Sequence, residues 1–162
     1  MSKPEFVYMT LIAAPPEQVW KGLTTAEFTR QYWHNTSVRS DFKPGCKIEF
    51  LNEDDSIVVL GEILRADHPN ELAYTWQFTG DSAAADDPPS RVTFTLEEIK
   101  VGTRLTIVHD QLEEGSLTAT MISGGWAHVI AGLKTLLETG EAVDFTAPEE
   151  SDCPGRQSVA NG

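Results

Sequence analysis

"GSLTATMISGGWAHVIAGLKTLLETG", residues 115–140, spaces its apolar residues as a helix does, yet it carries Gly124, Gly125 and Gly132 in its interior. At about 100° per residue, Ile122, Trp126, Val129, Ile130, Leu133, Leu136 and Leu137 fall within an arc of about 120°. That is a core-facing stripe along nearly the whole segment. The pattern predicts one long helix from about residue 117 to 139, ended at Gly140 by a left-handed cap. Each interior glycine costs a helix about 1 kcal/mol relative to alanine. Gly125 and Gly132 lie along one edge of the stripe and leave a shallow trough beside Trp126 and Val129, while Gly124 falls nearer the back. Two explanations stay open: close approach of a strand or short helix, or room for a ligand between this helix and a sheet. A curved sheet closing on a helix produces both.

The preceding segments supply that sheet. "FVYMTLIA", residues 6–13, is β-branched and aromatic enough for a strand. "APPEQVWKGLT" then puts prolines at a helix start and Glu17 in the first turn, with Val19, Trp20 and Leu23 as its apolar face. Thr24 and Glu27 have capping-box spacing, which predicts a second short helix carrying Phe28 toward Tyr32 and Trp33. From residue 36 to 112, strand follows strand. Cys46, Ile48 and Phe50 alternate with Lys47 and Glu49; Leu72, Tyr74, Trp76 and Phe78 alternate with Ala73, Thr75 and Gln77; Val92, Phe94 and Leu96 alternate with Arg91, Thr93 and Thr95; and Leu105, Ile107 and His109 share one face of the next strand. Short turns between such strands indicate an antiparallel meander. The fold class is therefore α+β: a curved antiparallel sheet of six or seven strands wrapped around a long C-terminal helix, with two short helices after the first strand. Residues 79–90, "TGDSAAADDPPS", read as an exposed acidic loop too polar to pack. The domain spans residues 1–141. Residues 142–162, rich in Pro, Ser and acid, read as a disordered tail that Phe145 alone cannot anchor.

With 12 Lys and Arg against 25 Asp and Glu, the formal charge is −13, which repels phosphate backbones and anionic membrane surfaces. Nucleic acid and membrane insertion are excluded as expectations, the latter also because no stretch approaches the roughly 18 apolar residues of a span. Cys46 and Cys153 form no Cys-x-x-Cys pair, against a disulfide scaffold or a zinc site. No signal peptide is visible, so a reduced, cytoplasmic protein is expected.

No nucleophile elbow, metalloprotease motif or phosphate loop occurs, and catalytic residues stay unassigned. His34, His68, His109 and His128 lack metal-ligand spacing, so neither a metal nor a cofactor is expected. His68 sits in a turn, His128 faces water, and His34 follows Trp33 where it could border a cavity mouth. His109 shares the inward strand face with Leu105 and Ile107. An inward imidazole must find a partner or shift its pKa, and it is either a satisfied core histidine or a group acting on a ligand. Tyr74, Trp76 and Phe78 stand on an inward face, Phe94 on the next strand, and Trp126, Val129 and Gly125 oppose them from the helix; Trp33 lies at an entrance. Aromatic walls of this kind line small-molecule pockets and packed cores alike.

The order of elements resembles the helix-grip fold of START-like (SRPBCC) domains. Within that superfamily it is similar to the activator of heat-shock protein 90 ATPase homologue-like branch. The resemblance rests on "APPEQVWKGLT", "YW", "SDFKPG", "LAYTWQF", "SRVTFTLEE", "GTRLTIVHDQL" and above all "GGWAHVIAGLKTLLETG", and covers roughly residues 5–141. It implies an apolar cavity between sheet and helix, an association with stress response, and, by resemblance alone, a chaperone as protein partner. Such folds host carriers, sensors, cyclases and co-chaperones. Three functions follow as expectations. The domain binds a small hydrophobic or aromatic molecule without turnover, or it is a cyclase- or hydrolase-type enzyme using His109, or it is a co-chaperone-like interaction module. The absence of a paired acid and base at motif spacing favours the first.

Overall fold

Period-2 apolarity builds the sheet. In the computed structural model, which describes residues 4–80 and 82–146, seven antiparallel strands are formed: β1 Phe6–Ile12, β2 Ser37–Ser40, β3 Lys47–Leu51, β4 Ile57–Asp67, β5 Glu71–Phe78, β6 Ser90–Ile99 and β7 Gly102–Asp110. Their order across the sheet is β1-β7-β6-β5-β4-β3-β2. The last six strands make the expected meander, and β1 returns to pair with β7, setting Phe6 opposite His109. Val92, Phe94, Leu105 and Ile107 are completely buried on the inner face.

The sheet must bend to wrap a helix. Its register shifts between Phe50 and Leu51 and again between Ile63 and Arg65, and such bulges kink a strand and increase its twist. At Gly61 the strands press so close that a Cβ would lie 1.9 Å from the Thr75 carbonyl oxygen. Only glycine fits there.

Helix α1, Pro16–Thr24, and α2, Ala26–Tyr32, follow β1; α3, Leu117–Thr139, closes the fold. The face of α3 carrying Ile122, Trp126, Val129, Ile130 and Leu133 is buried against the sheet. Its first turn is capped twice. The Ser116 hydroxyl accepts from the Ala119 N–H, and the Asp87 carboxylate accepts from both the N–H and the hydroxyl of Thr118, at 2.8 Å each. At the other end Gly140 takes the left-handed conformation (φ 78°) and its N–H donates to the Leu136 carbonyl.

Two local expectations are corrected. The Thr24–Glu27 capping box does not form, because the Thr24 hydroxyl donates to the Trp20 carbonyl of its own helix and Thr25 stands at the N-cap. The acidic loop does pack. It contains a short 3₁₀ turn, Ala83–Asp86, with Ala84 fully buried, and its Asp87 caps α3. Gln77 ties it to β5 by donating to the carbonyls of Ala85 and Asp87.

Two features border the helix. Lys134 donates to the Leu11 carbonyl at 2.9 Å and to Glu138, and Glu138 accepts from the Ala13 N–H at 2.8 Å, so this pair covers one end of the β1 edge. Of the stretch expected to be a tail, residues 142–146 turn back along α3. Val143 lies beside Gly132, and Thr146 Oγ1 accepts from the His34 N–H at 2.8 Å. Residues 147–162, the rest of that expected tail, lie outside the described residues.

Candidate functional site

Where the sheet curls away from α3, a cavity of about 280 Å³ remains, at the small end of volumes that accept small molecules. Each wall follows from a periodicity. Residues 121, 122, 125, 126 and 129 share one face of α3 and present Met121, Ile122, Gly125, Trp126 and Val129. Alternation on β5 brings Trp76 and Phe78 inward, and β3 and β4 add Phe50, Val58 and Val59. The loop after α2 supplies Trp33, His34 and Thr36. That loop turns sharply because His34 and Asn35 both adopt positive φ, 51° and 57°.

The rings of Trp33 and Trp76 touch each other, and each also touches Phe50 and Trp126. Trp33 stands 4.7 Å from Phe50 and 5.5 Å from Trp126 between centroids, and Trp76 lies 5.8 Å from Phe50 and 5.5 Å from Trp126. Thr36 is buried and donates to the Trp33 carbonyl at 2.6 Å. His34 sits at the rim, where partial burial lowers its pKa, Asp144 opposes that shift and His128 adds to it.

Of the residues expected at the site, Trp33, Trp76, Phe78, Gly125, Trp126 and Val129 line the cavity. Tyr74, Phe94 and His109 do not; they stand beside the wall on the same inner face, outside the cavity. Tyr74 is packed between Phe50, Trp76 and Phe94, and burial pushes its phenol pKa up. Phe94 stands edge-on to Trp126 at 5.7 Å. The reason is position along the face: alternation says which side chains point inward, not where the helix closes down on the sheet and where it leaves room.

His109 is fully buried. Its Nδ1 accepts from the Trp126 indole N–H at 3.1 Å, so the neutral ring carries its proton on Nε2 and donates to Ser90 Oγ at 2.7 Å. Ser90 in turn donates to the Trp76 carbonyl at 3.4 Å. Both ring nitrogens are used inside the protein. Burial lowers the pKa to about 4, with Asp110 pulling weakly the other way. The network fixes the Trp126 ring, and through it one wall of the cavity.

The three helix glycines have separate explanations. A Cβ at Gly125 would meet nothing within 4 Å and would project into the cavity. One at Gly132 would lie 2.7 Å from the Tyr32 Cβ and 3.0 Å from the Val143 carbonyl oxygen, so Gly132 is a close-packing site for α2 and the returning chain, and the expectation that it shares the cavity wall is corrected. Gly124 faces solvent. Phe50 and Ile122 were recognisable as inward residues, but nothing in their spacing marked them as cavity rather than core. Met121, at the mouth and half exposed, gave no signal.

Among the described residues no cluster of His, Cys, Asp and Glu could hold a metal ion, and no helix is long and apolar enough to cross a membrane. A search of curated proteins gives no match. Solved structures do match. A protein from Mesorhizobium loti is 23% identical with a TM-score of 0.71, covering 85% of this chain and 99% of its own. The Aha1 dimer from Colwellia psychrerythraea is 19% identical with a TM-score of 0.68, covering 86% and 99%. CalU16 from Micromonospora echinospora is 21% identical with a TM-score of 0.67, covering 85% and 76%. At these identities the likeness is one of fold, and it is the helix-grip arrangement described above. The sequence goes further: residues 13–138 match the model of one family, and the chain belongs to the Activator of Hsp90 ATPase homolog 1-like protein family.

Proposed function

We propose that this domain, residues 1–141 acting in the cytoplasm, takes up a small apolar or aromatic molecule between α3 and the sheet, as carrier or sensor and without turnover. The observation that supports it is the cavity itself, walled by the rings of Trp33, Phe50, Trp76, Phe78 and Trp126 and left open at Gly125. At Gly125, unlike solvent-facing Gly124, the space a side chain would fill belongs to the cavity. The enzyme reading depended on His109. That side chain does not line the cavity and has both nitrogens engaged, so it is a positioning residue for Trp126. The co-chaperone reading has the family description behind it and no feature of the cavity.

The test is a plug. Gly125→Leu should fill the cavity while raising helix propensity. Titration with the uncharged fluorophore N-phenyl-1-naphthylamine is expected to show saturable binding to the native chain, weakened at least about tenfold in the variant, about 1.4 kcal/mol. Circular dichroism should stay unchanged. Equal affinity in a folded variant would remove the cavity as the binding site.

A further inference from the structure

We propose that the molecule this cavity takes up carries a positive charge: an apolar or aromatic group bearing a tertiary or quaternary ammonium, held by the cavity's rings and drawn in by the carboxylates around its mouth. This rests on the ligand-binding reading above and adds to it the charge of the ligand.

The lining accepts a cation better than it accepts an anion. Trp33, Phe50, Trp76, Phe78 and Trp126 bound the cavity, and no Lys or Arg is among its lining residues. The rings of Trp33 and Trp76 lie nearly parallel, 18° apart, whereas Trp126 is turned 70° from the first and 56° from the second. The three indoles thus form a corner rather than a stack. Aromatic faces carry negative charge density, and Trp attracts a cation more strongly than Tyr or Phe does. That attraction grows when water is excluded. Alkyl groups on the nitrogen spread the charge over a larger ion and leave it weakly hydrated, so it loses far less on leaving water than the compact ammonium of a lysine does.

The surroundings have one sign. The chain carries a net charge of −13, and three segments bring carboxylates toward the mouth. Asn35, beside the lining residue His34, donates to Glu53. Asp144 lies close enough to His34 for its charge to act on that ring. Asp87 accepts from Thr118, one turn before the lining residue Met121. Positive charge nearby is already matched: Arg39, Lys47, Arg65 and Arg91, the Lys and Arg residues of strands β2 to β6, lie against Glu49, Glu49, Glu71 and Asp110. His34, the one titratable side chain of the lining, is held toward its neutral form by burial. An apolar concavity rimmed by one sign of charge concentrates ions of the other sign. An anion meets repulsion at the rim and no counter-charge inside.

Benzyltrimethylammonium and neopentylbenzene make the test, since they share a shape and differ by a charged nitrogen in place of a carbon. Hydrophobicity alone favours the hydrocarbon. Displacement of N-phenyl-1-naphthylamine from the full chain is expected to show the cation binding about tenfold tighter at low ionic strength. That advantage should shrink severalfold at about 1 M salt, where the screening length falls to about 3 Å. Direct calorimetric titration of Gly125→Leu should find the cation weakened at least about tenfold. Cation affinity unchanged in the folded variant would place the cation on the acidic surface and overturn the proposal. If the variant does not fold, the two affinities of the native chain decide. Hydrocarbon binding equal to or tighter than that of the cation, or a probe that the cation does not displace, overturns the charge proposal and leaves the cavity reading standing. If the probe itself does not bind, both fail.

Discussion

A methyl group added at Gly132 has to displace the Tyr32 side chain or the backbone at Val143, whereas the same methyl at Gly125 enters empty space. Gly132→Ala is therefore expected to destabilise the fold by about 1–3 kcal/mol through overpacking. Gly125→Ala is expected to be neutral or to stabilise by up to about 1 kcal/mol, because it exchanges a poor helix former for the best one. Urea unfolding of the two variants checks this, and an equal loss in both would mean that α3 lies as tight at residue 125 as at residue 132. His109 makes a prediction in pH. Its folded pKa of about 4 is below the ordinary 6.5. Between those values the unfolded chain binds a proton that the folded chain refuses, so stability is complete above about pH 6.5 and falls as the pH drops toward 4. The full effect is on the order of 3 kcal/mol. His109→Gln should lose stability at pH 7, having broken the Trp126–Ser90 relay, but its loss between pH 6.5 and 4.5 should be shallower than that of the native chain.

Helix α3 is held at its two ends by partners distant in sequence: Asp87 at the first turn, and residues 142–146 folded back along its last turns. The returning segment donates no apolar anchor comparable to the core. It contributes the Thr146–His34 hydrogen bond and packing at Gly132, together worth about 1 kcal/mol. Truncation after Thr146 is expected to leave the melting temperature unchanged. Truncation after Glu141 should lower it by about 2–4 °C, as read by calorimetry. A larger loss would show that this segment is part of the core rather than a strap on it. Since this segment reaches His34 at the cavity rim, truncation after Glu141 also exposes whether the rim depends on it.

Across the molecule, the parts legible in the sequence are those governed by short-range periodicity. The stripe from Ile122 to Leu137 fixed α3, and strict alternation in "LAYTWQF" and "SRVTFTLEE" fixed β5 and β6, because each pattern needs only a dozen residues to declare which face is dry. The cavity was half legible. Trp76 and Phe94 alternate identically, yet one lines it and the other stands outside it, since that depends on where the sheet departs from the helix. The departure is set by bulges at Leu51 and Arg65 and by the Gly61–Thr75 contact, which are pairings between strands and leave no mark within either. The packed acidic loop escaped for the same reason: its polarity is spent on the first turn of α3, 31 residues away. The Lys134–Glu138 pair has a consequence of the same long-range kind. An open seven-stranded sheet ends in bare strand edges, and β1 also turns Val7, Met9 and Leu11 outward, each about half exposed. Such a row invites a second chain to extend the sheet and begin a fibril-like stack. With Leu11 O and Ala13 N–H already occupied from α3, an incoming strand has no ladder to climb beyond Thr10, and what resembles an ordinary helix ion pair acts as a gatekeeper against aggregation.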